Sequence, residues 1–131
     1  MQRIRVLLVD DEARVRIGLR MRLKLEPDIE VVGEAVDGEA ALAAASEARP
    51  DVVVMDVRMK GVDGIVATRL LRERLPACAV VMLTMHDSQE TRADARAAGA
   101  VAFVAKHEDD GALVDAIRSA ASEESARDTH D

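Results

Sequence analysis

Tryptophan and tyrosine are absent from this sequence, and Phe103 is its one phenylalanine. A core built from such a chain has to be aliphatic, and the hydrophobic share of 49% is carried by Val, Leu, Ile and Ala. Cysteine is nearly absent too: Cys78 stands alone, so no internal disulfide can form, and its surroundings, Ala77-Cys78-Ala79-Val80-Val81, suit any small apolar residue. It reads as packing rather than as a reactive thiol. No apolar run approaches the roughly 20 residues of a membrane span, and Met1 leads within a few residues into a strand-like segment rather than a signal peptide. The expectation is a cytoplasmic chain with no membrane partner. Positive charge is in short supply as well, with 18 Lys and Arg against 25 Asp and Glu and a formal net charge of −7. The molecule as a whole repels nucleic acid and anionic lipid, so direct nucleic-acid binding by this domain is not expected.

What is present, 131 residues, fits one domain with a single core and leaves little room for a second. Five short β-type runs occur, Ile4 to Val9, Ile29 to Ala35, Val52 to Met55, Val80 to Leu83 and Ala102 to Val104. Several are almost continuously apolar, as parallel strands covered on both faces are. The stretches between them are long enough for helices, so the alternation implies βαβ units. Helix signals agree: Asp37-Gly38-Glu39 opens an Ala-rich stretch that Pro50 ends, Asp63-Gly64 opens another that ends near Pro76, and Asp87-Ser88-Gln89-Glu90 resembles a capping box. From Arg14 to Leu25 apolar and basic residues alternate, a strand pattern taken alone. The segment is twice the usual strand length and predicts a helix, with Val15, Leu19 and Leu23 in one stripe and Ile17, Met21 and Leu25 in another nearly opposite. Ser122 to Asp131 is polar without apolar period, so it is expected to fray or begin a linker; the domain proper is 1–122 and the tail 123–131.

Functional groups in open parallel α/β sheets gather at the carboxyl ends of the strands. Here the first strand ends in Asp10-Asp11-Glu12, the third in Asp56 and the fourth in Thr84, and the fifth is followed by Lys106. Three carboxylates brought together without a cation repel one another, so the pattern makes sense as a hard-cation site, with Mg²⁺ the natural occupant. The Thr84 hydroxyl and Lys106 ammonium would stabilise a transferred phosphoryl group, and Asp56 is best placed as nucleophile. Taken singly, each residue has an ordinary explanation: Asp10 and Asp11 as helix caps, Asp56 as a turn residue, Thr84 as a strand former, Lys106 as a solvated charge. Their common address at the strand ends is what favours chemistry.

Val6-Leu7-Leu8-Val9-Asp10-Asp11-Glu12, then Asp51-Val52-Val53-Val54-Met55-Asp56-Val57-Arg58-Met59, Gly61, Asp63-Gly64, Val81-Met82-Leu83-Thr84 and Gly99 through Lys106 closely resemble the receiver domain of two-component response regulators. The resemblance covers residues 3 to about 122. It implies a flavodoxin-like (βα)5 doubly wound parallel sheet in the order 2-1-3-4-5, which sets the first strand beside the third. It further implies that Asp56 accepts a phosphoryl group from a phosphohistidine on a sensor histidine kinase. Asp11, Asp56 and the backbone carbonyl of Arg58 would ligate Mg²⁺, with Asp10 acting through a bound water. Thr84 and Lys106 would contact the phosphoryl oxygens, and Phe103 matches the aromatic that changes rotamer when Thr84 moves; otherwise it is simply the largest core residue. Glu26 to Ala35 and Leu113 to Ile117 look like the NarL/LuxR type, whose members carry a C-terminal helix-turn-helix domain. The chain stops before one could begin, so the expectation is either an excised receiver or a stand-alone one, with DNA reached only through an effector domain absent from it.

Some positions depart from the receiver pattern. Lys60 replaces the usual Pro after Met59, His107 follows Lys106 where Pro is common, and Met85 is bulkier than the usual residue after Thr84, so it is expected to restrict water. His86 reads as a solvated loop residue that, with Arg58, flanks the site. Other classes fit less well. Asp10-Asp11-Glu12 would repel a flavin phosphate, the paired carboxylates of aspartyl-phosphate phosphatases have the wrong spacing here, and no dinucleotide glycine fingerprint exists. The alternative from another class is a receiver-fold interaction module acting without phosphorylation. On the surface, Ile17 and Met21 are expected to point outward between Arg14, Arg16, Arg20 and Lys24, while the fifth helix buries Leu113, Ala116, Ile117 and Ala120 and carries Glu108, Asp109, Asp115 and Glu123 outside. That pairing predicts a homodimer through the first and fifth helices.

Overall fold

The computed structural model of the chain describes residues 2–59, 61–85, 87–106 and 110–128. Strands and helices alternate as β1 (Ile4–Val9), α1 (Ala13–Leu23), β2 (Ile29–Ala35), α2 (Gly38–Ala48), β3 (Val52–Asp56), α3 (Gly64–Arg74), β4 (Ala79–Thr84), α4 (Gln89–Ala98), β5 (Ala102–Ala105) and α5 (Asp110–Asp128). The strands form one sheet in the order β2-β1-β3-β4-β5, and every neighbouring pair is parallel. This is the flavodoxin-like α/β fold that the sequence implies. No helix among the described residues is long and apolar enough to cross a membrane.

Side chains of each strand alternate between two cores. Val6, Leu8, Val54 and Val81 face α1 and α5, meeting Leu23, Leu113 and Ile117. Leu7, Val53, Met55 and Met82 face the other way, onto Ala41, Ala67, Leu71 and Ala95 of α2, α3 and α4. A strand buried on both faces must be apolar throughout, which explains why all five residues of β3 are buried and why its one polar member, Asp56, sits at its end. With no large rings available, small Ala side chains let α2, α3 and α4 lie close on the sheet.

The alternating segment from Arg14 is helical. Adjacent parallel strands such as β1 and β2 need a crossover of a dozen or so residues, and that requirement overrides the local period. Leu23 is buried, whereas Ile17, Met21 and Leu25 are 48%, 66% and 72% exposed. Arg16 does not flank the outer stripe as expected: its Nε donates to Glu34 Oε1 at 3.1 Å, and Arg20 Nη1 reaches the same carboxylate at 2.5 Å. On α5, Arg118 forks onto Asp28 at 2.9 and 3.0 Å and reaches Glu26 at 2.7 Å. That guanidinium ties α5 to the turn between α1 and β2, and makes the α5 surface less acidic than the sequence reading assumed. Asp115 is exposed on it; Glu108 and Asp109 lie outside the described residues, as does the Glu123 side chain.

Helix ends follow local chemistry. Asp37 Oδ1 accepts from Ala40 N–H at 2.8 Å and Asp63 Oδ1 from Val66 N–H at 2.9 Å. At α4 the cap is Ser88, which accepts from Thr91 N–H at 3.1 Å; the expected box with Glu90 does not form, because Thr91 holds the third helical position and its hydroxyl meets Ser88 Oγ at 2.9 Å. Gly99 closes α4 at φ 110°, a left-handed value that favours glycine. The backbone from Ser122, expected to fray, continues α5 as helix to Asp128, consistent with the good helix propensity of its Ala, Glu and Arg residues.

Gly64, the first residue of α3, matters for another reason. A Cβ there would lie 1.9 Å from the Asp56 carbonyl oxygen, while its N–H donates to Val57 O at 2.8 Å. The helix start is thus pressed against the backbone of Asp56. Gly64→Ala is expected to lower the unfolding free energy by roughly 3 kcal/mol, the cost of overpacking against rigid backbone, measured by urea denaturation; a loss below about 0.5 kcal/mol, the range of neutral surface changes, would contradict this.

Candidate functional site

Four strand ends converge at one edge of the sheet. Asp10 follows β1, Asp56 closes β3, Thr84 closes β4 and Lys106 follows β5, and the strand order sets β1 beside β3 and β3 beside β4. Carboxylate oxygens of Asp10, Asp11 and Asp56 lie within 4.8 Å of one another, a group able to hold a metal ion. Lys106 reaches across them, its Nζ 2.9 Å from Asp10 Oδ2 and 3.6 Å from Asp56 Oδ1. A pocket of about 190 Å³ opens above, walled by Asp11, Asp56, Arg58, Thr84, Met85 and Lys106. Asp10, Asp56 and Thr84 are buried, and Asp11 is exposed on the wall.

Each position has a local cause. Asp10 N–H continues the β1–β2 ladder to Ala35 O at 3.1 Å, and its Oδ1 accepts Glu12 N–H at 2.9 Å. The N-cap of α1 is Glu12, whose side chain makes no cap hydrogen bond, so the capping explanation for Asp10 and Asp11 falls away. Both Asp10 oxygens are engaged, one by Glu12 and one by Lys106, which leaves Asp11 and Asp56 better placed to meet a cation directly. Thr84 continues the row of Val80 and Met82, so it faces the α2–α3–α4 side of the sheet. Lys106 is fixed by its backbone N–H, which donates to Thr84 O at 2.6 Å. Met85 is 66% exposed at the pocket rim. Lys60, His86 and His107 lie outside the described residues.

Two contributors escaped the sequence reading. Arg16 Nη1 donates to the Asp10 carbonyl at 2.5 Å, bracing the strand end that carries the acidic pair; its place in an alternating basic pattern disguised it as a surface charge. Gly64 was legible only as part of a helix start, although a glycine so soon after Asp56 is a signal of close backbone approach.

The electrostatics are those of crowded anions. Burial, then the charges of Asp10 and Asp11, push the Asp56 carboxyl up to about 6, against the opposing pull of Lys106 and the Arg58 backbone N–H. Burial alone would depress Lys106, but its hydrogen bond to Asp10 and the charges of Asp56 and Asp10 hold its ammonium above the usual value. Such a site resists gaining negative charge and welcomes a hard cation.

With its carboxyl raised from 3.8 to about 6 on folding, Asp56 binds more protons in the folded state, so its contribution is favourable below pH 4 and is lost as pH rises through 6. The difference of about 2 pH units corresponds to roughly 3 kcal/mol. Without metal, Asp56→Asn is therefore expected to stabilise the fold at pH 7.5 by up to this amount and to have little effect near pH 4. Thermal melts in chelator at both values check it; a destabilised variant at pH 7.5 would contradict the crowding.

Residues 6–118 match the response regulator receiver domain family. The transcriptional regulatory protein LiaR of Bacillus subtilis is 41% identical over 117 residues, 89% of this chain and 56% of that protein. The response regulator protein VraR of Staphylococcus aureus is 38% identical over 122 residues, 93% of this chain and 58% of that protein; the chain spans little more than half the length of these relatives. The signal receiver domain of the NarL response regulator from Mycobacterium tuberculosis superposes with a TM-score of 0.89 at 32% identity, covering 93% of this chain and 98% of that one. With this fold, this edge of acidic groups and these relatives, the chain belongs to the response regulator receiver domain family and, within it, resembles the NarL/LuxR-type regulators.

Proposed function

We propose that this receiver takes a phosphoryl group on Asp56 from the phosphohistidine of a sensor histidine kinase and uses it to switch an output surface. The single observation that carries the reading is the buried Asp56 carboxyl held within 4.8 Å of Asp10 and Asp11 and 3.6 Å from the Lys106 ammonium. An Asp56 oxygen forms the new O–P bond as the P–N bond to the donor imidazole breaks. Lys106 and the Thr84 hydroxyl then take up the phosphoryl oxygens. The chain acts as a signalling phosphoacceptor rather than as a turnover enzyme.

The all-oxygen donor set and its crowded charge fit Mg²⁺. Asp11, Asp56 and the Arg58 backbone carbonyl would hold it, and Asp10, whose oxygens are already engaged, would act through water. When bound, Mg²⁺ supplies positive charge to the oxygen of the transferring group. Phe103, half-buried against the same core face as Thr84, is suited to follow the movement of that residue. Met85 at the rim limits water, and so slows hydrolysis. By analogy with the transcriptional regulatory protein LiaR, output is regulation of transcription, through the C-terminal helix-turn-helix domain that the NarL/LuxR resemblance implies, with residues 123–131 as the tail that would lead toward it.

Intact mass after incubation with Mg²⁺ and acetyl phosphate is expected to show one added phosphoryl group on the wild type and none on Asp56→Asn. An unlabelled wild type would favour an interaction module that works without phosphorylation. By calorimetric titration, Asp11→Ala should lose measurable Mg²⁺ binding and Asp56→Ala should weaken it at least tenfold; unchanged affinity in Asp11→Ala would overturn the ligand assignment.

The output surface proposed is α1 with α5, meeting the same pair of a second copy. Exposed Ile17 and Met21 support it, as do the exposed Arg14 and Lys24 opposite Asp115; with Arg16 and Arg20 drawn to Glu34, apolar cover rather than charge carries the association. Sedimentation with a beryllofluoride mimic should give a dimer for wild type and a monomer for Met21→Asp. Equal behaviour of the two would remove this interface.

A further inference from the structure

Arg92, on the first turn of α4, joins the β4–α4 loop to β5. Its Nε and Nη2 fork onto the Asp87 carboxylate at 2.6 and 2.9 Å. Its guanidinium carbon also lies 4.6 Å from the centre of the Phe103 ring. A guanidinium suits this double duty because its edge binds a carboxylate while its face stacks on an aromatic. Loop, helix and β5 are thereby joined through one side chain.

The join lies close to the phosphoryl site. Asp87 is three residues beyond Thr84 on the same loop, and Thr84 pairs with Ala105 in the β4–β5 ladder. Phe103, two residues before Ala105 and on the same sheet face as Thr84, is thus its diagonal cross-strand neighbour, within reach of an aromatic side chain. A phosphoryl group on Asp56 attracts the Thr84 hydroxyl, and a shift passed along the chain to Asp87, three residues on, pulls on the Arg92 fork and on the stack behind it. Phe103, freed of the guanidinium, can then turn toward Thr84.

We propose that Arg92 is a positioning residue: by clamping Asp87 to the Phe103 ring it holds the unphosphorylated arrangement and sets how readily the domain switches. This rests on the phosphoacceptor reading and adds to it a residue acting through Phe103 and the β4–α4 loop, with no contact to phosphate required.

Beryllofluoride affinity in the presence of Mg²⁺ tests it on the full chain, with the Phe103 ring signals followed by NMR. A clamp made only in the resting arrangement opposes the mimic, so Arg92→Ala should bind it about fivefold more tightly, the combined scale of one stack and one exposed ion pair. Arg92→Lys should match Arg92→Ala, because an ammonium keeps the charge but loses the fork and the flat face. Asp87→Asn should tighten binding about twofold, and the double variant should go no further than Arg92→Ala, since the two groups act as one unit. In the unliganded Arg92→Ala protein the Phe103 signals should already shift toward their beryllofluoride-bound positions. Equal affinities across the set, wild-type behaviour restored by lysine, or additive effects in the double variant would each overturn the clamp while leaving the phosphoacceptor reading intact. A wild type that binds no beryllofluoride would instead overturn the phosphoacceptor reading, and the clamp with it.

Discussion

Asp56 is buried at the end of the central strand with two other carboxylates at close range, and the rest of the structure is arranged around that charge. Desolvation and like-charge repulsion raise its carboxyl to about 6, which makes this edge a destabilised part of an otherwise well-packed domain. Lys106 offsets part of the repulsion from one side, bridging Asp10 at 2.9 Å. A divalent cation would complete the neutralisation, so the same repulsion that costs stability creates affinity for metal. Stability has been given up where chemistry is to occur, a common exchange at functional sites.

Holding such groups together demands rigid support, and backbone supplies most of it. β3 is flanked on both sides by parallel neighbours, so its end cannot relax laterally. Gly64 lets the start of α3 press on the Asp56 carbonyl, and Arg16 anchors the Asp10 carbonyl. An aliphatic core without tryptophan or tyrosine accommodates this because Ala-rich helices lie close to the sheet and leave the carboxyl ends of the strands open.

One chain of side-chain contacts lies next to the site. Thr84 is the last residue of β4, and the loop beyond it carries Asp87, joined through Arg92 to Phe103. The proposed clamp would connect the acidic edge to the α4–β5 surface through this side chain. The α1–α5 face lies on the other side of the sheet, where Arg118 fixes α5 to the turn between α1 and β2. The two sides of the sheet are thus tied together differently, one through Arg92 and the other through Arg118.

The sequence by itself determined the five strands, four of the five helix starts to within a residue or two, and the identity of Asp10, Asp11, Asp56, Thr84 and Lys106 as one set. Those features are local: apolar runs report burial on both faces, Asp caps report helix starts, and the residue that ends a parallel strand is necessarily at the functional edge. Even the alternating first helix could be read correctly, because its length excluded a strand. What only the tertiary structure decided is which charges meet. Arg16 and Arg20 turn to Glu34, Arg118 to Asp28, Arg92 to both Asp87 and Phe103, and Gly64 sits against the Asp56 carbonyl. Long flexible cations can reach several partners from one helical position, and their choice depends on elements far away in the chain that folding alone brings near.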